Sequence, residues 1–404
     1  MAATACPEIQ VYASFPRVVT LDGALSLHAD NWQWVQCLAL PLERLEALHF
    51  SSKPYKWIRY AIGIIVGAEG DLSSRSDSID NMDYSAGLPT DSAELYYHTS
   101  DEEKQRMFPV DPNIANTSVT SSVATTRRAQ FRSKAAVRDG NRCVLSGVPE
   151  IFCDAVHLLA HSKGDMYISI YTQRRSRDPA RDDVILDIDS IRNGLLLNNF
   201  THRGVGKHVA FLPTPNFAME TSDIDPTAPA PEKRCIAHLF EPTVPAFLGP
   251  NAIPSGTALR VSDTPDWPPA ILFDAVYAST VLHHFGTQAL KRKVTATWNT
   301  TFYPDGVTNQ AHAEKKARDD LKDVTAEKVH QHTVTREARI ETRAGRASCA
   351  VPDTFDMLLA LPYILVPPNE LQATLREAKE KADAAEQRRV KEKVDSWNRQ
   401  VTAS

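Results

Sequence analysis

With 404 residues, 42% of them hydrophobic and 24% charged, the chain fits an ordinary soluble protein of two or three domains rather than one large core. A formal net charge of −5 excludes a surface coated throughout in positive charge, although a whole-chain sum can hide a local basic region. Six cysteines without a CxxC pair point to reduced thiols rather than a disulfide framework.

The N-terminal MAATACPEIQVY lacks the basic start and apolar stretch of a secretory signal, and the longest apolar run, AIGIIVGA, falls far below the roughly 18 residues of a membrane span. The expected location is therefore intracellular, nuclear or cytoplasmic, neither secreted nor in a membrane. Residues 1–70 predict a mixed α/β region. Within it VYASF and RVVTL read as strands, DNWQWVQCLALPLERLEALHF as helix-like spacing broken by Pro41, and WIRYAIGIIVG as a buried strand. Residues 71–126 are rich in Ser, Thr and Asp and predict a polar linker, with a short helix at Asp101 to Met107.

Residues 127–217 predict a structured domain, and the Pro/Ala-rich stretch 218–233 a second linker. Residues 234–345 read as a helical region, with ILFDAVYASTVLHHFGTQAL as a helix. A charged helix is expected over 369–400, where Leu371, Leu375, Ala378, Ala382 and Ala385 alternate fours and threes. That seam leaves self-association through a coiled coil and a solitary solvated helix both open. The fold class expected is α+β, with a largely helical C-terminal region.

Charge is distributed unevenly. Residues 127–217 hold 14 Lys or Arg against 9 Asp or Glu, a net +5 that leaves −10 for the rest. Arg174, Arg175 and Arg177 fall in TQRRSRDPARDD, where they are candidates to neutralise phosphates of a nucleic acid. Pairing with Asp178, Asp182 and Asp183 is the competing reading.

The same segment carries RCVLSG at 142–147, AVHLLAHS at 155–162 and NGLLLNNFTHR at 193–203, in that order. This resembles the HNH endonuclease domain in its divergent fungal form, on the strength of a histidine closing an apolar strand, an asparagine, and a last histidine nine positions later. On that resemblance His157 is the first histidine, Asn193 the asparagine and His202 the last. The implied fold is a central ββα-metal finger, a hairpin holding His157 followed by a helix carrying His202. The implied activity is metal-dependent hydrolysis of nucleic-acid phosphodiesters, DNA most of all.

Each position has a chemical reason. Phosphodiester cleavage needs a water deprotonated near neutral pH, which suits an imidazole, His157. Charge gathering on the phosphate and leaving oxygen needs a fixed cation, Mg or Mn with Zn as the alternative, and His202 is the residue to hold it. Asn193 would orient His157 through loop hydrogen bonds, although Asn193-Gly194 is also an ordinary turn dipeptide. Arg203, beside His202, is a further phosphate contact.

Two departures from the family pattern matter. Val156 stands where relatives carry a ligand, leaving Asp154 as the candidate oxygen donor, on a strand position expected to face away from His157. Cys143 keeps one knuckle cysteine while Ser146, Asn198 and Thr201 stand at the other three positions, so no structural zinc is expected. The finger is then expected to be held by Val144, Leu158, Leu195, Leu196, Phe200 and Phe211, with HVAFLP as an extra strand. His161 reads as a solvated loop residue; His283, His284, His330 and His332 read as structural or exposed. These departures keep a second reading open: a weakened HNH-like module that binds nucleic acid or protein without cutting.

Overall fold

A computed structural model describes residues 6–19, 21, 25–80, 82–114, 126–243, 253–262 and 264–302. The tail helix expected at 369–400, His330 and His332 lie outside them. The fold is mixed α+β, with separate sheets and buried helices.

The first sheet opens with β1 (Glu8–Pro16), whose alternating burial puts Ile9, Val11, Ala13 and Phe15 on the core side. It pairs antiparallel with β2 (Trp32–Pro41), contrary to the helical expectation there; WQWVQCLAL alternates enough to bury one face. Pro41 then caps the short helix α1 (Leu42–Leu48), since its fixed φ ends the ladder and starts a helix.

WIRYAIGIIVG is a helix, not a strand: it lies in α2 (Pro54–Val66), whose Tyr55, Trp57, Ile58, Tyr60 and nearly every following residue are buried. An apolar run with no polar face cannot reveal its period. The decisive signs are its ends, Pro54 in the first turn and Gly67 at the C-cap with φ 74°. A Cβ at Gly67 would stand 2.1 Å from the Phe108 carbonyl oxygen, so glycine is required there both for conformation and for space.

The stretch expected as a polar linker contributes part of this sheet. After β3 (Gly70–Ser73), the strand β4 (Ala93–Thr99) lies between β1 and β3, parallel to β1 and antiparallel to β3, giving the order β2-β1-β4-β3. The short helix α3 (Asp101–Arg106) follows, capped by Ser100, whose side chain accepts from the Glu103 N–H.

Helix α4 (Thr126–Arg138) leads into a two-stranded sheet of β5 (Cys153–His157) and β6 (Gly194–Asn198). Helix α5 (Gly164–Arg175) lies in the connection between the two strands, and α6 (Asn199–Gly204) follows β6 directly. HVAFLP forms β7 (Val209–Thr214) as expected. It pairs with β8 (Arg234–Leu239), and β8 with β9 (Thr257–Ala258), so the described part of 234–345 begins as sheet rather than helix. Helices α7 (Ala270–Phe285) and α8 (Gln288–Phe302) complete the described chain.

Helix α7 is the hub. It packs along β7 and against α2, where the Trp57 indole donates to the Tyr277 hydroxyl at 2.7 Å and the Tyr60 hydroxyl donates to Asp274 at 2.5 Å. The first contact is buried and the second partly so, and their hydrogen bonds offset the desolvation of the groups involved. The stretch expected as the 218–233 linker is also tied in: Lys56 reaches the Asp223 carboxylate at 2.8 Å.

Candidate functional site

Strands β5 and β6 run antiparallel with His157 opposite Gly194 and Cys153 opposite Asn198. They are not joined by a tight turn. The connection 158–193 carries α5 and returns through a short 3-10 turn at Ile191–Asn193.

Asn193 closes the neck of that connection. Its side chain is fully buried, accepting from the Leu159 N–H and donating to the carbonyls of Leu159 and Ile188, each at 2.9 Å. Its own carbonyl accepts from the Leu158 N–H at 2.8 Å. The backbone leaving His157 is thus fixed by hydrogen bonds it could not find alone in a buried setting. Gly194 opens β6 in extended backbone (φ −147°) rather than making a turn. Its missing Cβ leaves room for Phe131, whose Cζ would lie 2.3 Å from one.

Phe131, on α4, stacks on the His157 ring with centroids 3.9 Å apart and planes 9° from parallel. On its other side His157 Nε2 lies 3.1 Å from Asp189 Oδ1, and the same oxygen is 2.9 Å from His161 Nδ1. His161 is therefore not the solvated loop residue its sequence position suggests. Asp189 is 3% exposed and His157 11%. Burial opposes ionisation of Asp189, but the hydrogen bonds from His157 and His161 outweigh it and hold its carboxyl well below the usual range.

His202 sits near the end of α6, whose first turn is capped by Asn198 accepting from the Thr201 N–H at 2.8 Å. Its Nδ1 is 2.9 Å from Asp154 Oδ2, and the ring is 42% exposed. Arg132 stands 3.8 Å from the same carboxylate.

The two histidines meet at one cavity of about 300 Å³, whose wall includes His157, His202, Arg203, Lys207, Val276 and Ser279. Arg203 and Lys207 are exposed at this rim. Arg174, Arg175 and Arg177 do not line it. Arg177 forms ion pairs with Glu103 and Glu69, not with the aspartates of its own segment. Arg175 donates to the Ile64 carbonyl, and Arg174 lies over the Phe108 ring.

Two donor sets could take a metal. His157, His161 and Asp189 each offer one ligand atom, all within 4.8 Å of one another. His202 and Asp154 supply an imidazole and a carboxylate at the cavity edge. Both sets combine nitrogen and oxygen donors of the kind first-row divalent ions accept.

The four knuckle positions are joined by hydrogen bonds. The Ser146 N–H donates to Cys143 Sγ at 3.2 Å, and the Asn198 amide donates to the Ser146 hydroxyl at 3.1 Å while also capping α6. Around them Val144, Leu158, Leu195, Leu196 and Phe211 are buried as expected, whereas Phe200 is 67% exposed, because a helix this short buries only the face turned to the strands.

A family model described as HNH endonuclease matches residues 143–208, from Cys143 through both histidines. This segment of the chain is similar to HNH endonuclease domains. No curated protein and no solved structure matches the chain. Among the described residues no helix is long and apolar enough to cross a membrane.

Proposed function

We propose that the chain is a metal-dependent HNH-type endonuclease that hydrolyses nucleic-acid phosphodiester bonds, with DNA as its polymer. The observation that carries this reading is that His157 and His202 border one cavity, with the Asp154 carboxylate beside His202. His157 accepts the proton of the attacking water. Asp189 fixes which ring nitrogen carries a hydrogen and offsets the charge the ring gains, the usual service of a carboxylate behind a catalytic imidazole. Asn193 keeps the strand end in place.

His202 and Asp154 are the residues that would hold a divalent ion, Mg or Mn by the oxygen donor and Zn as the alternative. Such an ion, when bound, supplies charge stabilisation at the phosphate and the leaving oxygen. Arg203 and Lys207 neutralise flanking phosphates, a sequence-independent contribution that weakens as salt rises. Nuclear or cytoplasmic residence is consistent with such a substrate.

A second reading is favoured by the compactness of the other donor set. If His157, His161 and Asp189 hold the ion, His157 is a ligand and not a base, and the chain acts as a binding module with little or no cleavage. Nicking of supercoiled plasmid by the full chain across a Mg and Mn series tests the choice. Cleavage that disappears in His157→Ala and His202→Ala is expected; full activity in His157→Ala would refute its role as base.

A further inference from the structure

A second cavity, of about 250 Å³, opens where the end of α5 meets α2 and the first turn of α7. It shares no lining residue with the cavity of His157 and His202. Arg106, Arg174, Arg175 and Arg177 line it, facing the carboxylates of Glu69, Asp183 and Asp274.

These charges are not equally committed. Arg177 is shared between two carboxylates, bidentate on Glu103 and 3.0 Å from Glu69, so it has no charge to spare. Arg106 donates to the Ser176 carbonyl at 3.0 Å and Arg175 to the Ile64 carbonyl at 2.9 Å; neither is in direct ion-pair contact with a carboxylate among the described residues, although Arg106 acts on Glu103 and Arg175 on Asp274 through space. Arg174 has no hydrogen bond and no carboxylate there, only the Phe108 ring 5.5 Å away. The Nε atoms of Arg174 and Arg175 are buried without a hydrogen-bond partner. The rest of each guanidinium is only half-buried, and its planar fork fits phosphate oxygens.

The rest of the wall has different chemistry. Asp274 accepts from the Tyr60 hydroxyl at 2.5 Å, and Asp183 from the Ser176 hydroxyl at 2.5 Å. Each carboxylate keeps acceptor capacity for a further hydroxyl. Burial raises the Asp274 carboxyl to about 6, so it can also present a proton near neutral pH. Phe217, Pro215 and Ile271 supply an apolar face. The volume lies just under the usual range for organic ligands, about 300–1,000 Å³, which admits a mononucleotide at most and no polymer.

We propose that this cavity binds a nucleoside monophosphate, its phosphate held by Arg106, Arg174 and Arg175, its sugar hydroxyls by Asp183 and Asp274, and its base against Phe217. The site is separate from the nuclease reading and does not depend on it.

Titration calorimetry of the full chain in EDTA, with adenosine 5′-monophosphate, adenosine and inorganic phosphate as probes, tests it. The monophosphate is expected to bind at least tenfold more tightly than either fragment. Arg174→Ala is expected to weaken it at least tenfold with an unchanged melting temperature, because Arg174 makes no ion pair that the fold would lose; Arg174→Lys should recover part of the affinity. His157→Ala should bind like the unaltered chain, which separates this cavity from the other. Equal affinity for phosphate and the monophosphate, unaltered binding by Arg174→Ala, or no binding of any probe overturns the proposal.

Discussion

The Asn193 carboxamide closes on both backbone polar groups of Leu159, accepting from its N–H and donating to its carbonyl, each at 2.9 Å. Two residues far apart in sequence are thereby held as a turn would hold them. Asn193→Ala strands these buried groups and should lower stability by about 3 kcal/mol, since each unsatisfied buried group costs roughly 1–3 kcal/mol. Chemical denaturation reads the loss, and cleavage by the surviving folded fraction should also fall.

Asp189 gives the site an acid limit. Its folded carboxyl titrates below the ordinary value, so its contribution to stability is complete above the ordinary Asp pKa of about 4 and fades as the pH falls beneath it. Denaturation midpoints of the unaltered chain should drop on acidification below about pH 4, and Asp189→Asn should flatten that part of the curve. Identical acid slopes in the two proteins would remove Asp189 from the account.

The two donor sets predict opposite outcomes for metal uptake. If His202 and Asp154 hold the ion, His202→Ala and Asp154→Ala abolish Mn binding measured by calorimetry, while His161→Ala leaves it in place. The reverse pattern assigns the ion to His157, His161 and Asp189 and relieves His157 of the base role.

Gly194→Ala tests the packing behind His157. The added methyl would meet Phe131 at 2.3 Å, and overpacking of this kind costs roughly 1–3 kcal/mol. Since Phe131 stacks on the His157 ring, cleavage should fall with stability; Phe131→Leu combined with Gly194→Ala should restore part of both.

Phe200→Ala should change stability by no more than about 0.5 kcal/mol, as expected for a surface position, because its ring is mostly in solvent. A larger loss in thermal melting would contradict its exposed placement.

The local order of elements around the candidate site was legible in the sequence. Asn193, β6 and His202 on α6 follow one another along the chain, and short-range spacing carries that kind of information; the cap Asn198 gives α6 was not read from it. His161 and Asp189 were not legible, because Asp189 reaches both histidines only once the connection 158–193 has folded back, and no periodicity encodes that return. The same distinction governs the fold. β7 and α7 announce themselves by composition, whereas β4 is an inner strand only because β1, some eighty residues earlier, offers it a parallel edge. The run of apolar side chains in α2 has no polar face to betray a period, so only Pro54 and Gly67 at its ends signal a helix.

The hydrogen-bonded set at Cys143, Ser146, Asn198 and Thr201 uncouples two properties that a metal-tied finger joins. With a single thiol among those positions, the scaffold rests on a helix cap, side-chain hydrogen bonds and buried apolar groups. On the proposed metal-dependent mechanism, chelation should abolish cleavage without unfolding the domain. A chain built this way could pass through metal-poor surroundings and regain its chemistry on re-exposure to the ion, with no refolding step in between.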